Sequence, residues 1–161
     1  MWELLRKQKE LNDYIIETRG LKFNDGELLK NMILACHDEI SEVEEAPYDA
    51  EEYIDVLHFV LSIALEFGFE DLNFTNYSWY PNLDTSHDFL RYSLLKLTRY
   101  SKCFKHWSDK KPSEVDINHV KDHLEFMIHI IYVSVGILDK DMYAEYNRKY
   151  QINIERQKNG Y

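Results

Sequence analysis

Apolar residues recur at three- and four-residue intervals along most of the chain. That is the period of one face of an α-helix, not the alternation of a half-buried strand, and it predicts about six helices and no sheet. The first runs from Trp2 to about Thr18, with Leu4, Leu5, Leu11 and Ile15 on one stripe, and ends at Arg19-Gly20. Asn24 and Glu27 have the spacing of a capping box before a second helix, whose buried side carries Leu28, Leu29, Met32, Ile33, Cys36, Ile40 and Val43 as far as Pro47. Asp49 can cap a third helix whose apolar run Val56 to Leu65 is nearly continuous, so this helix should lie deep before it ends near Gly68.

Residues 72–82, rich in Asn, Tyr, Pro and Trp, read as a loop, and Thr85 or Ser86 opens a fourth helix reaching about Lys102. Lys110-Lys111-Pro112 breaks the chain again. A fifth helix spans roughly Val115 to Ile137, and a sixth runs from about Asp139 to Asn159. Helices two and three, and helices four and five, resemble each other as hairpins: each has a polar first helix and a greasy second one. The expected fold is therefore an all-α helical bundle of about six helices with two pseudo-repeated helical hairpins, and 161 residues suit a single domain over residues 1–161.

No stretch approaches the roughly 18 uncharged apolar residues of a membrane span, and Glu3 is too early a charge for a secretion signal. The expectation is a soluble, cytoplasmic protein with no membrane partner. Cys36 and Cys103 stand far apart without a CxxC pair, which leaves buried reduced thiols as the simplest reading. A net charge of −10 argues against nucleic acid as a partner, because phosphate-backbone binding needs Lys and Arg. The excess is also localised. Between Cys36 and Leu57 there are nine acids and no Lys or Arg, while the rest of the chain has 20 acids against 19 bases. Self-repulsion in such a patch is relieved when a cation sits in it.

Glu39 and Glu42 are one helical turn apart, as are Glu52 and Asp55, so each pair sets two carboxylates about 5 to 6 Å apart on one face. Facing each other across a hairpin, the pairs would make a box of hard oxygen ligands suited to Mg²⁺ or Mn²⁺. A solvated acidic face has the same spacing. Asp55 favours the box, because it leads directly into a buried run, where an acid needs a partner. The fifth helix offers only Asp122 and Glu125 at comparable spacing, so one metal site per chain is expected.

Glu39-Ile-Ser-Glu42 followed by Glu52-Tyr-Ile-Asp55-Val-Leu-His58-Phe59 resembles the paired ExxE and ExxD motifs of the dimeric all-α dUTPases, members of the all-α nucleoside triphosphate pyrophosphohydrolases. Gln8-Lys-Glu-Leu-Asn12 is similar to the family's QxxLN stretch. Lys149 to Tyr161, with Asn153, Arg156 and Gln157, is similar to its KxxxNxxRQxxGY ending. The segment Cys103 to Pro112 resembles a further family phrase, with Lys105 and Trp107 as phosphate and stacking candidates. It follows helix four here, whereas in bacterial relatives it is expected between the two acidic motifs.

The resemblance implies hydrolysis of dUTP to dUMP and pyrophosphate, with Mg²⁺ held by Glu39, Glu42, Glu52 and Asp55 and one of these carboxylates serving the attacking water. Gln8, Asn12, His58 and Phe59 would form the base pocket, and Lys149 and Arg156 would face the phosphates. His58 reads equally well as a core histidine bonded to a carbonyl one turn away. A homodimer with a deoxyribonucleoside triphosphate substrate is also implied. Bacteriophage dCTPase-dUTPases share the superfamily and a similar ending, so dCTP or a broader set of deoxynucleotides remains open, as does a non-catalytic nucleotide- or protein-binding homologue.

Overall fold

In the computed structural model, residues 1–24, 26–73, 78–107 and 113–160 are described, 101–107 for their backbone alone. Six helices follow in order: α1 (Trp2–Arg19), α2 (Glu27–Glu45), α3 (Ala50–Glu66), α4 (Leu83–Trp107), α5 (Glu114–Ile137) and α6 (Met142–Lys158). Among the described residues there is no strand, and the fold is all-α.

Local side chains set most of the helix starts. Asp49 accepts the Glu51 amide at 2.9 Å, as expected for the cap of α3. Only one half of the expected capping box at α2 forms. The Glu27 carboxylate takes the Asn24 backbone N–H at 2.9 Å and its side-chain amide at 3.0 Å, and the helix starts behind Gly26, whose φ of 73° only glycine adopts freely. The fourth helix begins earlier than Thr85 or Ser86, because Asn82 takes the Asp84 amide at 3.1 Å. Ser86 is instead fully buried, donating to the Leu83 carbonyl at 2.8 Å with the Tyr53 hydroxyl 2.6 Å away. The helix also continues past Lys102 to Trp107. Asp139 belongs to the turn before α6 and has φ 59°; Asp141 caps that helix, accepting the Ala144 amide at 2.7 Å.

α2 packs on α3 and α4 on α5; the hairpins lie side by side through α2 against α4 and α3 against α5. α1 and α6 pack on each other and on α3, and α6 also reaches α5. α3 is thus covered by four helices. Its long apolar run follows from that position: Val56, Leu57, Val60, Leu61, Ile63 and Ala64 are all fully buried. Cys36 is buried in the same core, its thiol pushed up by loss of solvent and then by nearby Glu39, which makes it an inert reduced thiol. Where α1 and α6 meet the α2–α3 hairpin, polar side chains interrupt the core.

Candidate active site

The helical period puts Glu39 and Glu42 on one face of α2 and Glu52 and Asp55 on one face of α3, and the packing of α2 on α3 turns these faces together. Oxygens of Glu39, Glu52 and Asp55 all lie within 4.8 Å of one another. Glu42, more exposed, stands close enough to Glu52 to raise its affinity for a proton. The carboxylates raise one another's affinity for protons. Glu39 is pushed up to about 7 by desolvation first and then by Asp55, Glu42 and Glu52, with Lys149 opposing. Glu52 is pushed up to about 7 by desolvation first, then by the neighbouring Glu42 carboxylate and the charge of Asp55. Half-buried carboxylates that hold their protons this firmly are short of positive charge. The donor set is all hard oxygen, and it fits Mg²⁺ or Mn²⁺.

Lys149 of α6 is the cation that enters this group. Its ammonium donates to Asp55 Oδ2 at 2.8 Å and to Glu51 Oε1 at 2.7 Å, and its side chain is only 8% exposed. Burial works against its charge, but the bonds to Asp55 and Glu51 outweigh burial and raise its pKa. At Asp55 the balance falls the other way: desolvation lifts the carboxyl despite the Lys149 bond. Arg148 reaches the second oxygen of Glu51 at 3.1 Å and Glu145 at 2.9 Å.

A polar ladder lies beside the acids. The Gln8 side-chain oxygen faces His58 Nδ1 at 2.7 Å and accepts the Tyr146 hydroxyl at 2.9 Å. Gln8 then donates to Asn12 at 2.8 Å, and Asn12 donates to Ser62 at 3.0 Å. Because Gln8 presents its acceptor, the His58 ring carries its proton on Nδ1. Desolvation, helped by Lys149, holds His58 down at about 3, so the ring is neutral. It stacks on Tyr146 with centroids 4.5 Å apart, and its buried Nε2 has no hydrogen-bond partner among the described residues. His58 therefore bonds a distant glutamine, not a carbonyl of its own helix.

Acids and ladder open on one pocket of about 510 Å³. Of the residues expected from sequence, Gln8, Asn12, His58 and Phe59 line it together with Glu39 and Asp55. Lys149, Asn153, Arg156 and Gln157 of α6 line it too, Gln157 also accepting from Arg19 at 3.0 Å. Glu42 and Glu52 stand beside the pocket without lining it. The side chains of Lys105 and Trp107 lie outside the described residues. Sequence reasoning missed the apolar wall of Ile16, Leu21 and Phe23, and read Leu28 and Met32 as core where they line the pocket, half-buried; it also missed Ser62, Tyr146 and Glu51. Ser62 and Glu51 had a readable signal, one turn after His58 and one turn before Asp55, and Tyr146 lies three before Lys149 on α6. Phe23, in a connection, had none.

A helical bundle that gathers carboxylates, a lysine and an amide ladder around one nucleotide-sized pocket is a scaffold for phosphate-ester chemistry. A family model described as dUTPase matches residues 1–161, and the chain belongs to that family of dUTPase-like nucleotide pyrophosphohydrolases. No curated protein and no solved structure matches the chain.

Proposed function

We propose that this protein hydrolyses dUTP to dUMP and pyrophosphate, using Mg²⁺, or Mn²⁺ in its place, held by Glu39, Glu42, Glu52 and Asp55. The observation that carries the reading is that the carboxylate cluster and the Gln8–Asn12–His58 ladder open on the same pocket, with Lys149 between them. When bound, the cation neutralises phosphate charge and acidifies a water molecule. Gln8, Asn12 and His58 meet the base edge and Phe59 its face. Asn153, Arg156 and Gln157 attend the sugar and phosphates. Water attacks the α-phosphorus, its proton passes to a carboxylate of the cluster, and the bond from the α-phosphorus to the bridging oxygen breaks. Lys149 and Arg156 offset the charge on the departing pyrophosphate. The neutral His58 ring keeps one nitrogen that only accepts, and uracil carries an N–H donor where cytosine has a lone pair; this favours dUTP over dCTP.

The test is pyrophosphate release from dUTP, dCTP, dTTP and UTP with Mg²⁺ and then with EDTA, beside Glu42→Gln. EDTA-sensitive cleavage of dUTP that the variant loses is expected. Equal turnover of dCTP would move the reading to a broader pyrophosphohydrolase, and no turnover of any nucleotide would leave a binding homologue. We also read the chain as one domain acting in the cytoplasm as a homodimer, for which light scattering should return twice the chain mass. Among the described residues no helix is long and apolar enough to cross a membrane.

A further inference from the structure

Glu51 plays no part in the reading above, yet it shares Lys149 with Asp55. It stands one turn before Asp55 on α3, so both carboxylates point along one face toward α6. The ammonium sits between them, 2.7 Å from Glu51 and 2.8 Å from Asp55. Asp55 also belongs to the trio whose oxygens lie within 4.8 Å of one another. A divalent cation in that trio and the Lys149 ammonium would compete for the same carboxylate, and two cations that close repel strongly. A buried ammonium that simply lost Asp55 would be left uncompensated, which is costly. Glu51, 2.7 Å away, would keep it compensated. Arg148 holds its other oxygen at 3.1 Å and is itself anchored on Glu145 at 2.9 Å, so Glu51 is fixed in place.

We propose that Glu51 is a positioning residue that receives the Lys149 ammonium when a divalent cation takes Asp55, and that the Lys149–Asp55 bond is what the cation must displace. This rests on the metal site proposed above. Lys149 is then a counter-ion that neutralises Asp55 until a cation binds, and stays beside the pocket, ready for phosphate, afterwards. Glu51 sets how easily that handover happens.

The experiment is a titration of the full chain with Mn²⁺ alone, without nucleotide, reading free Mn²⁺ by electron paramagnetic resonance. Four proteins are compared: wild type, Glu51→Gln, Lys149→Met and the double variant, each checked for folding by circular dichroism. Lys149→Gln replaces Lys149→Met if the latter does not fold. Glu51→Gln should weaken Mn²⁺ binding by about tenfold, the scale of losing a group that supports a ligand. Lys149→Met should tighten it. In the Lys149→Met background, Glu51→Gln should change affinity less than about twofold, because nothing remains to be handed over. A fifth protein, Glu51→Asp, should restore part of the loss. An equal loss from Glu51→Gln in both backgrounds would show Glu51 acting only through its charge on the cation, and would overturn the inference while leaving the metal site standing. Absence of Mn²⁺ binding in all four proteins would overturn both.

Discussion

The two hairpins share a plan and differ in what covers it. α3 and α5 both end in a left-handed turn closed by the same pair of backbone hydrogen bonds, at Gly68 with φ 83° and at Asp139 with φ 59°. Each carries a buried histidine ten residues before that turn, His58 and His129. In that register Glu52 and Asp55 of α3 correspond to His123 and Phe126 of α5. His58 meets Gln8 of α1, with Asn12 beyond it, and the hairpin opens on the pocket. On α5, Trp79 takes the equivalent place. Its carbonyl lies 2.9 Å from His129 Nε2, and its ring stacks toward Phe126 at 6.3 Å and meets Phe89 edge-on at 4.6 Å. The same helical hairpin thus opens on the candidate site where polar α1 and α6 lie over it, and is covered by aromatic packing where Trp79 does. The site belongs to what is grafted on the hairpin rather than to the hairpin itself.

Substitutions on the two sides should separate accordingly. The largest effect is expected from Asp55→Asn, which removes one charge from the cluster and the partner of Lys149; kcat/KM for dUTP should fall about a hundredfold or more. Retention of wild-type kinetics would remove Asp55 from the site. Trp79→Ala, in the segment over the other hairpin, should cost about 2 kcal/mol in urea unfolding, since the ring is partly exposed, while kcat of the folded fraction stays within about twofold. A comparable collapse of kcat would mean the second hairpin shapes the site after all.

A smaller, pH-dependent effect tests the electrostatics of the cluster. Glu39 and Glu52 bind protons more tightly in the fold, at about 7, than the ordinary carboxyl near 4.5. Their contribution to stability is therefore complete below about 4.5 and is lost as pH rises through 7. His58 runs the opposite way: held at about 3, it favours the fold above its ordinary value of 6.5 and loses that advantage as pH falls. Melts in EDTA should consequently show Glu39→Gln raising Tm more at pH 8 than at pH 5, which cancels the His58 contribution from the comparison. Divalent cation affinity should also fall from pH 8 to pH 6, because the ligands must shed protons to bind. The smallest effect is expected at Glu125 of α5, the nearest counterpart of an acidic ligand there. It accepts the Asn73 amide at 2.7 Å, so Glu125→Gln should cost less than about 1 kcal/mol and leave turnover unchanged.

How far the candidate site was legible varies with distance along the chain. Glu39 with Glu42, and Glu52 with Asp55, were readable as pairs because helical period alone puts them on common faces. The starts of α3 and α4 show the limit even for local signals. Asp49 reads as a cap and acts as one, whereas Thr85 or Ser86 reads as opening α4 and Asn82, in the expected loop, caps it instead, with Ser86 buried against Tyr53. The aromatic stretch around Trp79 reads as a loop, and composition does not say which surface an aromatic ring will find.

The sequence by itself determined the helices, most of their ends and the faces on which the acids stand, since these depend on residues within a turn or two of each other. Only the tertiary structure decided that Lys149 lies on Asp55, 94 positions away, and that Gln8 orients His58 from 50 positions away. Those contacts depend on the angle and depth at which α1 and α6 settle on α3, and that is set by the packing of many apolar side chains at once, none of which carries the outcome alone.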